Sequence, residues 1–461
     1  MERLVVIGGD AAGASAASQA RLRRPPGELE VVVLERGTYT SYSACGIPYW
    51  VGGLVDGPDA LIARSPEEHR RRGVDVRTGT EAEGIDLDRR EVAVRDRATG
   101  AASRLGFDQL VIATGATPVR PPLPGIDAPG VHGVQTLDDG RALIDALAPD
   151  RTRAVVIGGG YIGIEMAEAM KLRGLDVTVL DRGAQPMSTL DPDMGVLVHE
   201  QMEAMGIDVV THADVQAVET GPDGRVRAVV TADGTYPADL VVLGMGARPN
   251  TGLAREAGLP LGDSGGLRTD LRMRVWGGDP RHAGIWAAGD CVEVLNLVSG
   301  RFQHIALGTH ANKQGRVAGM NIGGGYATFP GVVGTAVSKV CDLEIARTGL
   351  REKDADAAGF AYETATIQST GRAGYYPGAD KMTVKMLAER TTGRLLGVQI
   401  VGRDGAAKRI DVAAVALTAR MTVEDLTALD LGYAPPFSPV WDPILVAARK
   451  AAQKVGAADR V

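Results

Sequence analysis

Short apolar runs ended by glycine punctuate the chain in a repeating way. LVVI at 4–7 runs into GGDAAG, and AVVI at 154–157 runs into GGGYIG. Runs of this length between turn residues predict buried strands, and the small-residue stretches behind them predict helices. A second apolar run then follows and ends in an acid: VVVLERG at 31–37 and VTVLDRG at 177–183. Strand, glycine turn, helix, strand and acid occur twice, an internal repeat of the opening βαβ unit of a dinucleotide-binding fold. A further run, in GIWAAGDCVE at 284–293, leads into Gly289-Asp290, after which a helix is expected. ATGATP at 113–118 and GMGARPN at 244–250 are expected to cross out of the two nucleotide halves at strand ends. From about residue 328 the pattern changes: KMTVKMLAE and LLGVQIVG predict strands joined by a Thr-Thr-Gly turn, and AAKRIDVAAVALTARM has apolar residues at helical spacing.

The glycine spacing has physical causes. The first glycine permits the tight turn, and a bare backbone lets amides approach a pyrophosphate at a helix N-terminus. The last glycine lets helix and strand pack closely, and the acid accepts hydrogen bonds from a ribose. Gly158, Gly160 and Gly163 with Asp181 match in full. In the first copy Gly8 and Gly13 with Glu35 match, but Asp10 takes the place of the middle glycine. One such turn alone would be weak, since many strand-to-helix turns use glycine for packing. Two copies in the same context, each with its acid, point to nucleotide binding.

Composition narrows the class. The 461 residues are 44% apolar and 23% charged, which suits a globular protein of two to four domains. A net charge of −7 disfavours a nucleic-acid partner, and no apolar run approaches the length of a membrane span. Met1 leads directly into the first strand, so no signal peptide is expected. Three cysteines, Cys45, Cys291 and Cys341, are too few and scattered for a disulfide framework, so a reducing cytoplasm is the expected home. No metal site is expected. Cys45 lies in SYSACGIPYW at 41–50, whereas Cys291 and Cys341 lack any chemical context and are expected to be buried structural residues.

Together these motifs resemble the FAD-dependent pyridine nucleotide-disulfide oxidoreductases over essentially the whole chain. The resemblance implies an α/β fold with two Rossmann-like domains and a C-terminal α+β dimerisation domain. Its segments would be 1–117 and 247–327 for FAD, 118–246 for NAD(P)H, and 328–461 for the homodimer interface. It implies FAD on Gly8, Gly13, Glu35, Arg36, Thr114, Gly115, Gly289 and Asp290. It implies NADH or NADPH on Gly158, Gly160, Tyr161, Gly163, Glu165, Asp181 and Gly246, with Tyr161 covering the flavin and Glu165 near the nicotinamide. Asp181 favours NADH by repelling a 2′-phosphate, although the adjacent Arg182 could accept one.

The branch follows from what stands near Cys45. Dithiol members carry a second cysteine five positions on, where this chain has Trp50, and a C-terminal His–Glu pair, whereas the last histidine here is His310. Single-cysteine peroxidases and oxidases keep a histidine in the first turn, where this chain has Ala11. Coenzyme A-disulfide reductases resemble it most: Ser41 four before Cys45, YYPG from Tyr375 and YAPPFS from Tyr433. Ala44 departs from an asparagine found in some members, and no rhodanese-like extension is expected. The resemblance implies that electrons run from the nicotinamide through the flavin to Cys45, which holds a small thiol as a mixed disulfide. Tyr375 and Tyr433, supplied by the partner subunit, would serve the leaving thiolate. The thiolate is expected to be stabilised by helix N-terminal amides or the flavin edge. Gln19, Arg21, Arg23, Ser41, Asn312 and Lys313 would bind the substrate, coenzyme A disulfide. An oxidase or peroxidase cycling a Cys45 sulfenic acid is the alternative, and a flavin-binding redox sensor without turnover a third.

Overall fold

The two repeated apolar runs are central strands of two parallel five-stranded sheets in the computed structural model, which describes residues 1–458. In the first sheet Glu2–Ile7 lies between Leu29–Leu34 and Gln109–Ile112, with Asp75–Arg77 and Ile285–Ala287 at the edges. In the second, Arg153–Ile157 lies between Asp176–Leu180 and Leu240–Leu243, flanked by Ile207–Val210 and Val131–Gly133. Leu4 stands opposite Val31, and its counterpart Ala154 opposite Val177. Covered on both faces, these strands need no polar alternation, and Leu4, Val5 and Val6 are fully buried.

The repeat extends further than the glycine turns. Each half also carries a three-stranded antiparallel insert, Thr80–Asp86, Glu91–Asp96, Ala102–Gly106 in the first and Val215–Thr220, Val226–Thr231, Thr235–Pro237 in the second. The crossings Ala116–Pro118 and Ala247–Pro249 pair with each other, antiparallel. The first helix, Ala11–Arg23, lies against the helix Gly308–Ile322 with their backbones nearly touching, because a Cβ on Gly315 would stand 2.1 Å from the Ala12 carbonyl oxygen.

The helix expected directly after Gly289-Asp290 is absent. Val292 bridges Leu267, Val294–Leu295 pairs with Phe302–Gln303, and the helix starts only at Gly308. The β-branched Val292 and Val294 suit these extended pairings.

An antiparallel sheet closes the chain, in the order Ala336–Val340, Leu343–Gly349, Leu395–Gly402, Lys381–Glu389, Tyr362–Thr370. The strands expected around the Thr-Thr-Gly turn form its hairpin, and the expected helix spans Ala406–Thr418. Lys385, buried in this sheet, fastens it to the second nucleotide half: its Nζ lies 3.2 Å from Asp191, 2.7 Å from Asp193 and 2.6 Å from Glu352. Removing one partner of such a pair typically costs about 3–5 kcal/mol, because the rest stay buried and uncompensated. Among the described residues no helix is long and apolar enough to cross a membrane.

Candidate active site

Both glycine turns are forced by sterics. Gly8 has φ +103° and Gly158 φ +99°, where a Cβ would meet the Ala113 oxygen at 2.1 Å and the Gly244 oxygen at 2.5 Å. A Cβ on Gly13 would stand 1.9 Å from the Gly8 oxygen, and one on Gly163 1.8 Å from the Gly158 oxygen. The acids clasp the turns identically. Glu35 accepts from the amides of Gly9 at 2.8 Å and Gly37 at 2.7 Å, and Asp181 from those of Gly159 at 2.5 Å and Gly183 at 2.6 Å. Each carboxylate oxygen keeps a second lone pair for a ribose hydroxyl. The middle positions differ. Gly160 has no side chain, whereas the Asp10 carboxylate accepts from the Tyr42 amide at 3.1 Å. Burial pushes Asp10 up to about 6, and the charges of Glu35 and Asp290 add to the shift.

A cavity of about 380 Å³ continues from Glu35, lined also by Arg36, Arg97, Thr117 and Arg120. Thr114 and Gly115, just before the lining residues Ala116 and Thr117, are tied to Asn250, whose backbone oxygen accepts from the Thr114 hydroxyl at 2.6 Å and whose amide donates to the Gly115 oxygen at 2.9 Å. Gly246, φ +85°, accepts from the Val119 amide at 2.8 Å where the two crossings pair. Gly289, φ +86°, donates to Gln314 at 2.8 Å, and burial raises its neighbour Asp290. A bare turn aimed at a helix start, a carboxylate for a ribose and a guanidinium-lined cavity fit FAD.

Cys45 lies in a single turn, Ala44–Gly46, that continues into the helix Ile47–Gly52. Its loop is tied to the first glycine turn twice, by the Asp10–Tyr42 bond and by the Ser41 amide donating to Gly9 at 3.2 Å. The Ser41 hydroxyl pairs at 2.9 Å with His69, a buried imidazole that burial pulls down to about 4 and so keeps neutral. Ser41 itself adopts φ +48°, a conformation held by these contacts. The Cys45 side chain is reachable by solvent. The expected thiolate stabilisation is not supplied by the chain. Desolvation pushes the Cys45 thiol up, and Glu165, Asp290 and Asp10 push it further. Three carboxylates outweigh the amides of a helix too short to carry a strong dipole. Sequence reasoning missed Tyr49, one helical turn beyond Cys45, whose phenol is raised by burial and by Glu165, Glu168 and Cys45. The i, i+4 spacing was the available signal.

Tyr161 and Glu165 stand on the helix Tyr161–Leu172 that follows the second turn. The Tyr161 hydroxyl accepts from Arg347 at 3.4 Å. Burial pushes Glu165 up to about 7, opposed by the Ser338 hydroxyl donating to it at 2.7 Å. Cys291 is buried, its Sγ donating to the Ile112 and Ala288 oxygens at 3.4 Å. Cys341 is not buried as expected: it occupies the turn of the hairpin Ala336–Val340 to Leu343–Gly349, with φ +50°, and is partly exposed.

Tyr375 and Tyr433 meet each other, phenol to phenol, on the outer face of the C-terminal domain, 78% and 49% exposed. Neither is among the main groups acting on Cys45 of the same chain. Gln19, Arg23, Asn312 and Lys313 lie on the paired helices, where Ser15 donates to Asn312 at 3.0 Å and Arg23 lies over Gly323. Arg21 does not join them. Its guanidinium donates to the Gly73 oxygen at 3.0 Å, the Arg24 oxygen at 2.9 Å and the Leu29 oxygen, so its donors serve the backbone instead of a phosphate.

Comparison with known proteins agrees in kind with this geometry. The pattern of the family "Pyridine nucleotide-disulphide oxidoreductase" matches residues 2–315, and that of its dimerisation domain matches 335–443. A Pyrococcus horikoshii protein named NAD(P)H coenzyme A polysulfide/persulfide reductase is 39% identical over 97% of this chain and 98% of its own. A Methanocaldococcus jannaschii NADH oxidase is 36% identical over 98% and 99%. The solved NAD-dependent persulfide reductase from A. fulgidus superposes with a TM-score of 0.94 at 41% identity, over 99% of this chain and 84% of its own.

Proposed function

The chain belongs to the pyridine nucleotide-disulphide oxidoreductases and is an FAD-dependent NAD(P)H oxidoreductase; from that premise we propose that it reduces a low-molecular-weight disulfide, coenzyme A disulfide or a coenzyme A persulfide, through a mixed disulfide on Cys45. One observation carries the reading: a solvent-reachable sulfur rides on a loop bolted to the first glycine turn through Asp10 and Gly9. Sulfur and cofactor turn therefore hold a fixed relation. Bound FAD would supply the two-electron relay between nicotinamide and sulfur.

The chain's own residues account for the rest. The Cys45 thiolate attacks one sulfur of the disulfide, a new S–S bond forms, the old one breaks, and the leaving thiolate takes a proton. Two electrons originating in NAD(P)H, with one more proton, then cleave the mixed disulfide to free the second thiol and restore Cys45. Overall, one disulfide, one NAD(P)H and one proton give two thiols and NAD(P)⁺; from the persulfide the sulfide leaves in place of the first thiol, and the products are one thiol and hydrogen sulfide. Tyr375 and Tyr433, on an exposed face with Phe437 and Trp441, would meet the partner's site in a homodimer, where a phenol can hydrogen-bond the leaving sulfur. Asp181, buried and held by two amides, favours NADH.

The oxidase reading is supported by several relatives named NADH oxidase, the M. jannaschii protein among them, and Ala11 in place of a turn histidine weighs against it. Cys45→Ser separates the readings. It should keep FAD and flavin reduction by NADH yet lower disulfide-dependent NADH consumption by about 10³-fold or more. Near-native disulfide reduction by this variant would contradict the proposal. Vigorous oxygen-dependent NADH consumption without disulfide, lost in the variant, would favour the oxidase.

A further inference from the structure

We propose that Lys385, on the C-terminal sheet, is a positioning residue for NAD(P)H: through Asp191 it holds in place the loop that closes the second glycine turn. The inference rests on that turn as the seat of NAD(P)H. The two halves match beyond their acids. Six residues after Glu35 stands Ser41, and six after Asp181 stands Met187. Both adopt a left-handed backbone, φ +48° and φ +55°, although neither is glycine. Both donate an amide to the residue after the first glycine of their turn, Ser41 to the Gly9 oxygen at 3.2 Å and Met187 to the Gly159 oxygen at 2.7 Å. A side chain stays in such a backbone only where its surroundings impose it.

The halves impose it differently. Ser41 is held from within the first half, by His69. The loop of Met187 is gripped from the C-terminal domain. Lys385 and Gln399 face each other on neighbouring strands of its sheet, and both are buried. The Asp191 amide donates to Gln399 at 2.7 Å. The buried Asp191 carboxylate accepts from the Gln399 side chain at 2.6 Å and from the Glu352 amide at 3.0 Å, and pairs with Lys385 at 3.2 Å. Arg351 donates to the Ser188 oxygen. Further along the loop Pro186 lies against the turn, since a Cβ on Gly159 would stand 3.0 Å from the Pro186 Cβ. An unbroken line thus runs from Lys385 through Asp191 and Met187 to Gly159, at the helix start that a pyrophosphate would meet.

The test titrates ADP-ribose, a dinucleotide without its nicotinamide, into the FAD-bound protein by calorimetry. Asp191→Asn turns a donor toward Gln399 and Lys385 and leaves Lys385 paired with Asp193 and Glu352. It should weaken ADP-ribose binding about tenfold. In stopped-flow reduction of the flavin it should raise the Kd for NADH by the same factor, with the limiting rate and the FAD content unchanged, because binding alone is lost. Lys385→Met should do likewise, and the double variant should bind no more weakly than either single one, since one line is cut twice. Where Lys385→Met does not fold, Asp191→Asn decides alone. Native affinity in folded Asp191→Asn overturns the proposal. Losses that add in the double variant, or a fall in limiting rate or FAD content alongside the Kd, assign the cluster to general support and overturn it equally. Gly163→Ala locates the nucleotide separately: ADP-ribose binding that survives this change removes NAD(P)H from the second turn and overturns the proposal with it. Disulfide turnover plays no part in these readouts, so failure of the proposed reaction leaves the inference standing.

Discussion

The two glycine turns are the same device used for different ends. Both begin on a left-handed glycine, both close on a glycine whose Cβ would strike the first, and both are clasped by an acid bonded to two amides. They part at the middle position. Gly160 leaves the second turn bare, whereas Asp10 carries the first turn's grip on the cysteine loop. After the second strand the two halves part again: the first continues into SYSACGIPYW, the second into a loop that leads to Asp191 and its bond with Lys385. The repeat thus presents two nucleotide cradles, and one middle residue marks the cradle that also anchors the Cys45 loop.

The largest test of the comparison breaks each turn in turn. Gly13→Ala and Gly163→Ala introduce the same clash, under 2 Å, into the two halves. The first should yield protein without bound flavin. The second should stay yellow yet reduce its flavin with NADH on the order of 100-fold more slowly, the equivalent of about 3 kcal/mol of lost binding. Absorbance of purified protein and stopped-flow bleaching read the two effects. Identical behaviour of the variants would erase the distinction between the halves.

A smaller effect probes the acid of the second half alone. Asp181→Asn keeps the shape and removes the charge. It should lower kcat/KM for NADH by about tenfold and raise that for NADPH, since the repulsion of a 2′-phosphate is gone. Steady-state comparison of both cofactors decides it, and an unchanged ratio would show that Arg182 governs the choice.

Much of this was legible in sequence because it is local. Gly8, Gly13, Gly158 and Gly163 are dictated by contacts within six residues, or with the strand alongside, so their spacing announces them. What was hidden depends on distant partners. The turn after Asp290 reads as a helix start until Leu267, far back in the chain, claims Val292 for a bridge. Arg21 reads as a phosphate ligand until Gly73 and Leu29 offer carbonyls. Cys341 lies at a hairpin turn, where no apolar pattern marks it as exposed. The rise of the Cys45 thiol could not be read from its own neighbours, because Glu165, Asp290 and Asp10 come from three other segments. Tyr375 and Tyr433, fifty-odd residues apart, meet only in the fold.

A stability measurement sharpens the difference at the middle position. Folded Asp10 titrates near 6 against an ordinary 3.8, so between those values the folded protein binds more protons than the unfolded chain. Its contribution therefore falls as pH rises from about 4 to 6 and stays lost above. Asp10→Asn, neutral throughout, should be more stable than the native protein at pH 7 by about 2 kcal/mol, with the gain vanishing toward pH 4. Thermal unfolding across that range measures it, and no gain at pH 7 would show that Asp10 is not held against its charge.

The most direct measurement of the central claim is the mass of the Cys45 peptide from oxidised protein. The protein is exposed to coenzyme A disulfide and quenched with acid before reduction. The account predicts one coenzyme A in disulfide linkage on Cys45, none on Cys291 or Cys341, and its loss on addition of NADH. A Cys45 that stays unmodified while disulfide and NADH are consumed, or one carrying only an oxygen, would contradict it.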